Sequence, residues 1–141
     1  MVDCVFCRLL SGGEPVIWVA RHEGAAALLP RPGGELAPGH TLVIPTEHAV
    51  GIQDVTQQSL STTITLVSRV ALAMEVAFGA RGVNVLNASG PGSEQSVPHL
   101  HFHVVPRWDD DGFTTWPSER SCRELTGDVG AALAEAMTRL D

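Results

Sequence analysis

Lysine and tyrosine are absent from this 141-residue chain, and aromatic residues make up only 5% of it. All basic charge rests on nine arginine side chains, which sixteen acids outnumber to give a formal net charge of −7. General nucleic-acid binding needs a basic footprint that displaces counterions from phosphates, and this balance excludes it. It equally excludes an anionic membrane surface as partner. No run of about 18 apolar residues is present, so no membrane span is expected. The opening Met1-Val2-Asp3-Cys4 lacks a basic stretch followed by an apolar one, so no secretory signal is expected and the expected location is cytoplasmic. Cysteine is sparse, at Cys4, Cys7 and Cys122. An odd count with one Cys-x-x-Cys pair suggests metal or redox use, not a disulfide framework. Internal repeats, low-complexity tracts and interdomain linkers are also missing.

What remains is a globular composition, 44% hydrophobic and 18% charged, of a length that suits one domain spanning residues 1–141. Residues 16–20 and 25–29 read as short strands around the polar turn Arg21-His22-Glu23-Gly24. Three prolines and three glycines between Pro30 and Gly39 mark a loop. Thr41-Leu42-Val43-Ile44 reads as a strand that Pro45 stops. Thr56 suits the N-cap of a helix of about 22 residues ending near Gly79. Its apolar stripe would be Leu60, Ile64, Val67, Ala71, Met74 and Phe78, a core-packing face. Residues 82–87 read as a strand, 88–96 as a loop, 99–108 as a strong strand and 123–139 as a closing helix. Trp108 and Trp116 are expected to pack, His22 to be solvated and Cys122 to be an ordinary thiol. Strands of antiparallel length with one long and one short helix make an α+β domain.

The densest chemistry lies in Ser96-Val97-Pro98-His99-Leu100-His101-Phe102-His103-Val104-Val105-Pro106. On a strand of period two, His99, His101 and His103 share one face, and Leu100, Phe102 and Val104 face the core. Such a row of imidazoles can bind a metal. Alternatively one imidazole can serve as nucleophile while its neighbours neutralise a phosphate. An ordinary half-buried strand does not call for three of the chain's six histidines at i, i+2 and i+4.

His-x-His-x-His with apolar interleaving resembles the histidine triad (HIT) family of nucleotide hydrolases and transferases. Three further runs match in the family's order: Cys4 to Gly12, Pro38 to His48, and Gly82 to Asn87 with Gln95-Ser96-Val97 leading into the triad. The resemblance spans residue 4 to about Pro117. It implies a five-stranded antiparallel sheet with a long and a short helix, in a homodimer. It implies that His101 is the nucleophile that attacks an α-phosphate, and that the backbone carbonyl of His99 fixes its tautomer. His103 and His40 correspond to histidines lining the phosphate, and Ser96 and Gln95 to polar residues near the scissile bond. Asn87 corresponds to an asparagine beside ribose and phosphate, while Phe6, Leu9 and Leu28 fall where the family forms its base pocket. The substrates implied are nucleoside phosphoramidates or related nucleotides, with dinucleoside polyphosphates as an alternative. A zinc-stabilised binding module with little turnover is the reading outside the enzyme class.

Cys4-x-x-Cys7 alone is ambiguous between a redox pair, buried thiols and a metal site, although no thioredoxin-like context surrounds it. By resemblance to bacterial members, Cys4, Cys7, His48 and His99 form a structural zinc site, with His99 a ligand and not a catalyst. One departure stands out. Most members carry an aspartate for the ribose hydroxyls in a Leu-Asp-x-x-Pro-like run. Here the run is Leu28-Leu29-Pro30-Arg31-Pro32-Gly33-Gly34-Glu35, about two residues longer and without the acid. Hydrogen bonds to a charged group contribute about 1.5–3 kcal/mol, so their loss would weaken nucleoside binding roughly 10- to 150-fold. Glu35, in the longer loop, is the candidate substitute for that acid, and Arg31 the candidate contact to another substrate group.

Overall fold

The computed structural model describes residues 3–140; Met1 and Val2, which open the N-terminal stretch considered above, and Asp141 lie outside it. Helix α1 (Val5–Leu10) precedes strands β1 (Trp18–His22) and β2 (Ala25–Leu28), which pair antiparallel with His22 opposite Ala25. β1 starts two residues later than the apolar run suggests and continues through Arg21 and His22. Gly24, at φ +93°, lets the chain reverse over Glu23-Gly24 alone, so both polar residues join the ladder.

β3 (Thr41–Pro45), β4 (Gly82–Leu86) and β5 (Phe102–Arg107) complete a five-stranded antiparallel sheet in the order β1-β2-β3-β5-β4. β2 and β3 are buried along their whole length because both sheet faces are covered. Ala25, Ala27, Val43, Phe102 and Val104 pack with the long helix α2 (Gln57–Phe78) on one face. Ala26, Leu28, Leu42 and Ile44 pack with Cys4, Phe6 and Leu9 on the other.

The Thr56 hydroxyl caps α2 by accepting from the Ser59 N–H at 3.1 Å, and Gly79 ends it at φ +63°. The buried stripe is rotated from the expected one: Ser59, Thr63, Leu66, Val67, Val70 and Met74 face inward. Val67 and Met74 are shared with the expected stripe, and Leu60 and Ala71 pack at its edge, whereas Ile64 and Phe78 are exposed. Thr63 occupies the inner face because its hydroxyl donates to the Ser59 carbonyl at 2.7 Å, which removes the cost of burying it. By length and composition alone α2 is apolar enough to cross a membrane, contrary to the expectation from contiguous runs; here one face of it lies on the sheet.

The triad strand begins at Phe102, not at His99. Extending the β3–β5 register would set Leu100 opposite Pro45, which has no N–H to offer. Leu100 N–H bonds instead to the Ala49 carbonyl at 2.7 Å. The closing helix α3 (Val129–Met137) starts six residues later than expected, where Gly127 turns the chain at φ +81° and Asp128 caps it through the Ala131 N–H at 3.0 Å. None of α3 is buried. Trp108 packs against the α2 side of the core, while Trp116 is exposed, correcting the expectation that both pack.

Candidate active site and metal centre

β5 and its extended lead-in carry the three histidines past the centre of the sheet, so that His99 and His101 are buried and His103 half-buried. His103 lies opposite Leu42 in the register, which turns both onto the α1 side. There a cleft of about 980 Å³ opens, lined by Val5, Phe6 and Leu9 of α1, Leu28 and Leu42 of the sheet, and His40, His101 and His103. Ser96, Val97 and residues of the Pro30–Gly39 loop, including Arg31 and Glu35, complete the lining. Its size and largely apolar lining suit a small organic ligand with a few fixed polar contacts.

Hydrogen bonds fix the tautomers. His101 Nδ1–H donates to the His99 carbonyl at 2.8 Å, leaving Nε2 with a free lone pair. Leu36 N–H donates to His40 Nδ1 at 3.0 Å, so the His40 proton sits on Nε2 and is donated to His103 Nδ1 at 3.0 Å. His103 therefore keeps its own proton on Nε2, available as a donor. Burial lowers the pKa of His40 despite the nearby Glu35 charge. Burial, reinforced by His101 and His40, lowers that of His103 to about 4. At neutral pH His103 thus presents a ring N–H and no imidazolium to the cleft.

Asn87 and Gln95 are not among the residues lining the cleft. Asn87 Nδ2 donates to the His101 carbonyl at 3.0 Å, which places it behind the triad backbone. Gln95 bridges two loops, donating to the Val50 carbonyl at 2.6 Å and accepting from Gly90 N–H at 2.9 Å. The anchoring of His40 by Leu36 N–H had no counterpart in the sequence reading, because a backbone donor leaves no mark in side-chain patterns.

Beside the cleft, Cys4, Cys7, His48 and His99 present four ligand atoms all within 4.8 Å of one another. His99 Nε2–H donates to the Pro45 carbonyl at 2.9 Å, which frees Nδ1 toward the cluster. Nδ1 of His99 stands 3.4 Å from Cys4 Sγ, 3.7 Å from Cys7 Sγ and 3.2 Å from His48 Nδ1, with Cys7 Sγ 3.5 Å from His48 Nδ1. Zn–S bonds of about 2.3 Å and Zn–N bonds of about 2.0–2.1 Å give tetrahedral S···N and N···N edges of about 3.3–3.6 Å. The donor set and its spacing fit a metal ion. Burial, together with the hydrogen bond and charge of Cys4, pushes the Cys7 thiol up, so a bound cation is what would favour its ionised form.

These features define a histidine triad protein. The HIT domain model matches residues 34–110, and the chain belongs to the HIT family. It is 33% identical over 122 residues to the adenosine 5′-monophosphoramidase of Schizosaccharomyces pombe, covering 83% of this chain and 85% of that one. The crystal structure of a HIT family member from Bacillus subtilis superposes with a TM-score of 0.82 at 29% identity, covering 99% of both chains. That of a zinc-bound histidine triad family protein from Mycobacterium smegmatis superposes with a TM-score of 0.74 at 30% identity, covering 97% of both.

Proposed function

We propose that this chain is a hydrolase or nucleotidyl transferase acting at the α-phosphate of nucleoside phosphoramidates or related nucleotides. The observation that carries this reading is the His101 ring, held by its Nδ1–H on the His99 carbonyl so that Nε2 offers its lone pair at the cleft. Nε2 attacks phosphorus, a P–Nε2 bond forms and the bond to the leaving amine breaks. The His99 carbonyl, still accepting from Nδ1–H, stabilises the ring as it becomes cationic. His103 Nε2–H donates to a non-bridging oxygen, and Ser96, at the cleft wall, is the hydroxyl placed to pass a proton to the departing amine. Water then displaces the nucleotide from Nε2, its released proton restoring the Ser96 hydroxyl, which frees the monophosphate and returns neutral His101. Phe6, Leu9 and Leu28 form the apolar wall for the base.

Zinc is the metal we assign to Cys4, Cys7, His48 and His99; four protein ligands leave no open position, so its contribution is structural. The reading is completed by a homodimer, formed by the outer face of α2 and the free edge of β4, in a reducing, cytoplasmic setting that keeps the thiols available.

Two observations favour other readings. The Val104-Val105-Pro106-Arg107 run resembles that of the family's dinucleoside polyphosphate hydrolases, which favours dinucleoside polyphosphates. Within that run Arg107 is committed to Asp111 at 2.7 and 2.9 Å and to Asn84 at 2.7 Å. The lack of an acid in the cleft-lining run 28–32 favours a binding module with little turnover. Incubation with adenosine 5′-phosphoramidate and, separately, diadenosine polyphosphates, following AMP release, separates the three. Faster release from the phosphoramidate is expected; binding without release would overturn the enzyme reading. After an acid-free quench, His101→Ala should carry no nucleotidyl adduct, whereas His103→Ala should label roughly 10²- to 10³-fold more slowly, as for a lost oxyanion donor.

A further inference from the structure

We propose that occupancy of the four-residue metal site governs the neighbouring cleft, with His99 and Phe6 as the positioning residues that couple them; this rests on the nucleotide reading above. His99 belongs to both sites through different atoms. Its ring Nδ1 faces the cysteines and His48, while its backbone carbonyl holds His101 Nδ1–H at 2.8 Å. The residue is wholly buried, and its ring is also tied to the Pro45 carbonyl. Rotation of the ring and displacement of the carbonyl are therefore linked movements of one tightly enclosed residue.

α1 supplies the second link. Cys4 is its N-cap and Cys7 its third residue, so both sulfur ligands are fixed to this one six-residue helix. Between them, Phe6 meets the His99 and His101 rings edge-on, with centroids 5.6 and 5.3 Å away. Val5, Phe6 and Leu9 form one wall of the cleft. A helix this short does not persist alone, because nucleation costs more than one turn returns. Beyond its apolar contacts and the Arg21 bond to the Leu10 carbonyl at 2.9 Å, the thiols are its attachment to His48 and His99. Losing the metal frees the wall of the cleft and the carbonyl that orients His101 together. Coupling between two binding sites is reciprocal, so a nucleotide in the cleft must tighten the metal by the same factor.

The test compares zinc-reconstituted protein with chelated protein whose metal loss is verified by elemental analysis. Side-chain ¹⁵N spectra of the zinc form should show His101 with Nδ1 protonated and Nε2 not; after chelation this fixed tautomer should be lost while far-UV circular dichroism is retained. The AMP dissociation constant should rise on the order of 10- to 100-fold, the usual cost of disturbing groups that orient a site. A chromogenic chelator should find zinc held more tightly by the same factor when AMP is present. His48→Ala, which removes a ligand outside the cleft, should reproduce the His101 change. An unaltered His101 tautomer in metal-free protein or in metal-free His48→Ala overturns the proposal. So does a chain that takes up no zinc. Complete unfolding on chelation also overturns it, since the coupling would then be global. Failure of the zinc form to bind AMP would instead sink the nucleotide reading, and the His101 spectrum would still decide the link.

Discussion

His103 is neutral because of where it sits, half-buried against His101 and His40, and its pKa of about 4 lies below the 6.5 of an unhindered imidazole. In the unfolded chain the same ring takes up a proton near 6.5, so between about 6.5 and 4 the unfolded state binds more protons. Stability is then fully present above pH 6.5 and is lost as pH falls toward 4. Thermal melts at pH 7 and pH 5 should show a lower Tm at pH 5, and His103→Gln, which keeps an acceptor for His40, should show a smaller drop. An equal drop in both proteins would place the effect elsewhere. The triad row was legible from its spacing, whereas His40, Phe6, Leu9, Leu28 and Ser96, which line the cleft with His101 and His103, were marked only by the family resemblance. Tautomers were not legible. They depend on the Leu36 N–H and on the way His40 reaches His103 across 63 positions of sequence, neither of which a local pattern encodes.

At the scale of elements, caps were more legible than faces. Thr56 and Gly79 bound α2 where the sequence places them, because a hydroxyl acceptor and a left-handed glycine are local requirements. Thr56→Ala should therefore destabilise the protein by about 1 kcal/mol, read as a lower urea midpoint with an unchanged m-value. A midpoint equal to wild type would mean that the helix end is held by its packing instead. The inward face of α2 was misread by part of a turn, since Ile64 and Phe78 are apolar yet exposed while Ser59 and Thr63 are polar yet buried. Apolar periodicity identifies a face only when one apolar face exists, and α2 has two. The start of β5 was displaced for a comparable reason: alternation continues through His99 and His101, but pairing stops where Pro45 ends the donors of β3.

For the whole molecule, the second apolar face of α2 asks what covers it. Ile64, Leu72 and Val76 are 43%, 59% and 89% exposed, and Arg69 and Glu75 are the only charges in the helix. Thr63 belongs to the core, whereas the uncharged Ser61, Thr65 and Ser68 lie outside and Thr62 is half-buried. The sheet edges differ in the same sense. β1 is blunted by a register irregularity between Trp18 and Ala20 and carries Arg21 and His22. β4 is regular and uncharged from Gly82 to Leu86, has Val85 45% exposed, and borders no further strand among the described residues. An unprotected edge strand beside an uncharged helical face is a surface on which a lone chain would aggregate, unless a second copy closes it. Two-fold pairing is self-complementary, so one face and one edge suffice for both partners. Light scattering at micromolar concentration should give twice the 15.0 kDa of one chain. Leu72→Glu and Val85→Lys, each placing charge on that surface and away from the cleft, should shift the mass toward a single chain without loss of helical circular dichroism. A wild-type mass of one chain would exclude the dimer, and a dimer indifferent to both substitutions would move its interface off α2 and β4.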